Sequence, residues 1–190
     1  MAMSPVELCA AALVKIGARP FATFEDETAE AACARRLYPI TRDLLLALHP
    51  WSFTLAQATL APEVEPPVAD FARAFALPAD HLRTVSVGTG GRSRGTAYRQ
   101  QGGFILCDAP EIVLHYQRRV PEAELPPFFV SLLTVRLAAE FCMPLTESSG
   151  RAMDLHRLAE AELRSARLID SQQATPRAFD DFTLIAARLA

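Results

Sequence analysis

What most constrains this chain is a change of hydrophobic period that occurs twice. Over residues 4 to 50 apolar side chains recur three and four apart, from 51 to about 120 they fall in short runs broken by glycine and proline, and from 126 to 170 the helical spacing returns. A period near 3.6 places apolar side chains on one face of a helix, whereas short β-rich runs suit strands. An apolar helical face leaves water only by meeting another such face. Helices far apart in sequence are therefore expected to close one bundle, with the middle segment projecting from it. The expected class is mainly α: about four helices, a small antiparallel β element inserted at 51–120, and a C-terminal arm at 171–190. A chain of 190 residues suits one such domain.

Helix boundaries are written locally. Ser4-Pro5-Val6-Glu7 has the form of a capping box with proline in the first turn, and Gly17 supplies a stop after the stripe Leu8, Ala12 and Ile16. A second helix is expected from Asp26–Thr28 to about Leu48, with Ala29, Cys33, Leu37, Ile40, Leu44 and Leu48 along one face. Pro39 lies inside it and predicts either a kink or a division into two helices. A third helix follows Pro126-Pro127, carries Phe128, Leu132, Val135 and Ala139, and closes at Pro144. A fourth runs from Ser148 or Ser149 to Ile169 on Ala152, Leu155, Ala159, Leu163 and Ala166.

Between these pairs, Trp51–Leu55, Leu82–Val87, Gly103–Cys107 and Ile112–Arg118 read as strands. Gly102-Gly103 is expected to turn a hairpin joining Tyr98–Gln101 to Phe104–Cys107. The stretch from Gly88 to Gly95, rich in glycine and arginine, reads as an exposed loop. It lacks the lysine and the strand-to-helix setting of a phosphate cradle. Its arginines could still meet phosphates without specificity.

The tail opens with the breaker Ser-Gln-Gln-Ala-Thr-Pro and then places Phe179, Phe182, Ile185 and Leu189 at helical spacing. So short an amphipathic segment does not hold itself folded in water. It must dock, and two partners stay open: its own core or another protein.

The net charge of −3 gives no overall attraction to nucleic acid or anionic membranes. Cys9, Cys33, Cys107 and Cys142 stand far apart among apolar neighbours, with no C-x-x-C spacing and no secretory leader read, so free thiols are expected. No run of ~18 apolar residues is read, so no membrane span is expected. His49, His81, His115 and His156 lack the i, i+4 spacing of zinc enzymes, and the paired carboxylates fall at turns or helix starts. Neither an enzyme nor a cofactor or metal site is expected.

A family pattern then emerges from the order of several motifs. Glu7 through Ile16-Gly17, followed by Pro20-Phe21 and Phe24-Glu25, resembles the opening of tail tubular protein A and related head-to-tail connector adaptors of tailed phages. The helix from Ala32 to Leu45, leading into His49-Pro50-Trp51-Ser52-Phe53, is the most specific part of the likeness. Phe75-Ala76-Leu77-Pro78-Ala79-Asp80 is similar to the family's leucine, proline, x, aspartate segment, and Pro126-Pro127-Phe128 with Arg136–Glu140 to its third helix. The likeness spans roughly residues 4 to 170 and stops at the glycine-rich loop and the tail.

The resemblance implies a structural virion protein of a phage or gene transfer agent. It would be made in the bacterial cytoplasm and located at the neck, as a dodecameric ring between the portal protein and the tail nozzle or stopper. Double-stranded DNA would pass non-specifically through the channel, and the isolated subunit could be a monomer. On this reading Phe179, Phe182, Ile185 and Leu189 anchor to the portal or a neighbouring subunit. Arg92, Arg94 and Arg99 would lie on a projecting loop against DNA or a neighbour. The rival is a small DNA-associated or regulatory protein, which needs a coherent basic face.

Overall fold

The computed structural model describes residues 3–92 and 94–173. Four helices, α1 (Pro5–Ile16), α2 (Ala29–Leu48), α3 (Pro127–Thr146) and α4 (Ser149–Ser171), enclose six strands in the sequence. These are β1 (Leu55–Leu60), β2 (Arg73–Ala76), β3 (His81–Gly88), β4 (Arg99–Gln101), β5 (Phe104–Cys107) and β6 (Ile112–Arg118). The chain is thus mainly helical with a small antiparallel β element.

The ends of α1 are fixed by its own residues. The Glu7 amide donates to Ser4 Oγ at 3.2 Å and the Ser4 amide to Glu7 Oε2 at 2.7 Å, closing the capping box. Gly17 then takes a φ of 76°, left-handed backbone that suits glycine, and ends the helix.

Helix α2 starts at its Thr28 cap, whose hydroxyl accepts from the Ala31 amide, and runs unbroken through Pro39. Proline removes one backbone hydrogen bond there. Pro39 and Arg35 are both exposed, so water can reach the carbonyl left without its donor. The face of α2 that enters the core differs from the expected one. Ala31, Ala34, Tyr38, Thr41, Leu45 and Leu46 are buried, while Ile40, Leu44 and Leu48 stand in solvent.

Helix α3 is central: ten of its residues are buried, from Phe129 to Cys142, because α1, α2 and α4 all pack on it. That position explains its composition. It is the one helix among the described residues long and apolar enough to cross a membrane. It also continues through Pro144, instead of closing there, and ends at Glu147 with a φ of 53°. Helix α4 buries only Ala152, Ala159, Ala166 and Asp170, so its other faces are wet.

Trp51–Leu55, read as a strand, is a 3₁₀ turn over Ser52–Thr54 with the strand beginning at Leu55. Trp51 is fully buried, donates from Nε1 to the Leu45 carbonyl at 2.9 Å, and meets Phe129 edge-on at 5.3 Å. The β segment forms two three-stranded antiparallel sheets, ordered β1-β6-β3 and β2-β5-β4. Strand β2 went unread in the sequence. Gly102 and Gly103 take φ values of 58° and 83° and turn the β4-β5 hairpin, as a primed turn requires. Phe75, Ile105 and Cys107 of one sheet join Val87, Ile112, Leu114 and Tyr116 of the other in a second core.

Candidate interaction surfaces

The two cores are joined through polar contacts at the C-terminal end of α2. Gln117 of β6 is fully buried, and its Nε2 lies 2.9 Å from the Leu46 carbonyl, 2.6 Å from the His49 carbonyl and 3.2 Å from Thr54 Oγ1. The last carbonyls of a helix have no intrahelical donors, and Gln117 supplies one from the β unit. Arg83 of β3 reaches the Ala47 carbonyl at 3.2 Å from the same side.

Asp170, 5% exposed near the end of α4, closes the junction from the other direction. Its carboxylate accepts from the Ser52 amide at 3.1 Å and from Ser52 Oγ at 2.7 Å, and His49 Nε2 stands 3.7 Å away. This contact explains the 3₁₀ turn, since a carboxylate at the start of a turn pairs with an amide that has no other partner. Burial pushes the His49 imidazole pKa down, the Arg167 charge adds to that, and Asp170 opposes both.

A second polar cluster ties α2 to the segment before α3. Tyr38 Oη donates to Glu122 Oε1 at 2.8 Å and Arg42 Nη1 reaches the same oxygen at 2.6 Å. Burial pushes the Glu122 carboxyl up, but the Tyr38 and Arg42 hydrogen bonds outweigh it and hold the pKa below the ordinary value. Asp43 receives Arg42 Nε at 3.0 Å and Arg119 Nη2 at 2.8 Å. These groups neutralise one another and point at no substrate.

The surface that remains to be explained is the outer face of α2. Ile40 is 66% exposed, Leu44 47% and Leu48 45%, and Leu37 is half-buried one turn further back. Beyond Leu37 the stripe ends in a groove of about 360 Å3 lined by Ala32, Cys33, Arg36, Leu37 and Pro144. Contiguous exposed apolar surface of this kind marks contact with another protein segment. The sequence misplaced these residues because α2 carries two apolar stripes. The buried one is disguised by Tyr38 and Thr41.

The expected loop residues separate. Arg92 and Arg94 are exposed in the turn after β3. That turn folds back on its own strand, with Thr96 N donating to the Val87 carbonyl at 3.1 Å, and a Cβ on Gly88 would collide with the Arg92 and Arg94 backbone. Arg99 is not on this loop. It lies in β4, where its guanidinium bonds Asp70 at 2.6 Å and sits over the Phe71 ring. Phe179, Phe182, Ile185 and Leu189 lie outside the described residues.

A cavity of about 520 Å3 opens beside the smaller sheet, lined by Val64, Pro66, Pro67, Ala74, Phe104 and Leu106 with Glu63 and Glu65. Among the described residues no histidine, cysteine, serine, lysine or arginine lines it. Among the described residues no three His, Cys, Asp or Glu side chains converge in a metal-holding group. All four cysteines are free thiols, and Cys9 is buried enough that its pKa is pushed up to about 12. The sequence matches no protein-family model and no curated protein.

Proposed function

We propose that this chain is a head-to-tail connector adaptor of a tailed phage or gene transfer agent. Its copies close a ring beneath the portal protein, pass DNA through the channel and receive the tail nozzle or stopper. The observation that carries the reading is the placement of the ordered motifs. The Ile16-Gly17 pair ends α1, and Trp51-Ser52-Phe53 forms the junction between bundle and β unit. Leu77-Pro78-Ala79-Asp80 leads into β3, with Asp80 accepting from the Tyr116 hydroxyl at 3.2 Å, and Pro126-Pro127-Phe128 opens α3. Motifs that recur at element boundaries are those a shared fold would demand.

The surface supports the same reading. A ring is built from heterologous contacts, in which one face of a subunit meets a different face of the next. The outer stripe of α2 offers one such face, and the apolar residues of the tail offer the complementary element. In the neck the tail engages the portal or a neighbouring subunit.

A chain stopped after Ala174 tests this. It should melt cooperatively, as the full chain does, yet fail to join heads to tails in an assembly assay. Truncated protein that joins them normally would contradict the role given to the tail, and loss of the cooperative transition would place the tail in the core.

A further inference from the structure

The outer stripe of α2 and the last residues of the chain carry an inference about the isolated subunit, one that stands whether or not the protein belongs to a phage neck. Helix α4 ends at Ser171, and Asp170 is held against Ser52 next to His49, the residue that terminates α2. The described fold thus ends at residue 173, three positions beyond Asp170 and near the His49 end of the exposed stripe. Three extended residues, Ala174 to Pro176, span roughly 10 Å, enough to pass around a helix end. Pro176 then suits a helix start, and from Arg177 onward apolar residues recur at helical spacing.

The two stripes match in register. Along α2 from its C-terminal end the residues are Leu48, Leu44, Ile40 and Leu37, a span of 11 positions, and along the tail Phe179, Phe182, Ile185 and Leu189, a span of 10. Antiparallel helices rise equally per residue, so four side chains of one fall within two positions, roughly 3 Å, of four on the other. Such a pairing would set Leu189 over Leu37, beside the apolar groove lined by Cys33 and Pro144.

We propose that in the free subunit residues 177–190 lie as an antiparallel helix on the α2 stripe of their own chain, Phe179 on Leu48 through Leu189 on Leu37. A tethered segment whose attachment point adjoins its site sees that site at millimolar effective concentration, which favours it over a second copy in dilute solution. The same surface is then free for a neighbour only once the tail has left it. Assembly would thus exchange an internal contact for an external one.

The test is disulfide trapping in the full chain. The pair Leu44→Cys with Phe182→Cys is oxidised under copper phenanthroline beside the pair Val14→Cys with Phe182→Cys. Val14 is exposed on α1, whose end contacts Arg151 at the opposite end of α4. Peptide mapping separates these bridges from any to the native thiols. We expect a bridged monomer that forms at least about tenfold faster for the Leu44 pair, at a rate unchanged by dilution. Bridging no faster than in the Val14 pair overturns the proposal, and bridged dimers that vanish on dilution make a second copy the occupant instead. Maleimide labelling of Ile40→Cys gives an independent reading. Its rate should rise about tenfold when the chain stops after Ala174, while Val14→Cys, exposed on α1 away from the stripe, keeps its rate in both chains as a reference. Equal Ile40→Cys rates in the two chains would also overturn it.

Discussion

The Gln117 side-chain amide lies 2.9 Å from the Leu46 carbonyl, so a buried residue of the β unit completes the last turn of a helix in the bundle. Gln117→Leu keeps the volume but leaves the Leu46 and His49 carbonyls without their donor. A buried acceptor left unpaired costs about 1–3 kcal/mol. In a chain of this size that lowers the melting temperature by roughly 2–4 °C per kcal/mol, measured by circular dichroism. An unchanged melting temperature would show that the two units fold without this tie.

Asp170 ties α4 to the same junction. Asp170→Ala strands the half-buried Ser52 amide and should cost about 1–3 kcal/mol in urea denaturation. Asp170→Asn keeps an acceptor oxygen and should cost less. Equal losses for the two variants would mean that the charge, not the hydrogen bond, matters.

The pH dependence follows from His49 and His81, both held below the ordinary imidazole pKa of 6.5, chiefly by burial. A histidine with a depressed folded pKa binds its proton more readily when unfolded. Between the folded pKa and 6.5 the unfolded chain therefore carries more protons, and stability rises with pH. Above 6.5 both states are neutral and this contribution is fully present. Denaturation midpoints should climb from about pH 5 to 6.5 and then level, with a shallower climb in His49→Gln. A midpoint that falls over that interval would reverse the assignment.

Gly88 should tolerate no side chain. A Cβ there runs into the Arg92 carbonyl and the Arg94 amide, both backbone and unable to swing aside. Gly88→Ala should destabilise by about 1–3 kcal/mol, the range for forced overpacking. Gly91→Ala meets no neighbour and pays only for its φ of 78°, so it should cost less. A ranking in the other order, read from thermal melts, would mean that the turn does not fold back on β3.

Elements specified by neighbours in sequence were legible, and elements specified by distant partners were not. Ser4, Glu7 and Gly17 define α1 within one turn of its ends, and Gly102-Gly103 defines its hairpin. The buried face of α2 was misread because Tyr38 and Thr41 look polar. The Tyr38 hydroxyl enters the core only because Glu122, 84 residues later, accepts its hydrogen bond. Ser52 turns instead of extending because Asp170, 118 residues later, takes its amide. Arg99 was grouped with Arg92 and Arg94 by proximity, yet its strand register with Leu106 carries it to Asp70. The outer stripe of α2 was visible as a pattern, but which of two stripes faces solvent is set by α3.

Negative-stain imaging of the protein mixed with the portal protein of the same genome tests the connector assignment most directly. We expect class averages in which the portal ring carries an added ring of density on its tail-facing end, absent from portal alone. Portal particles that stay unchanged at saturating subunit concentration would contradict the assignment.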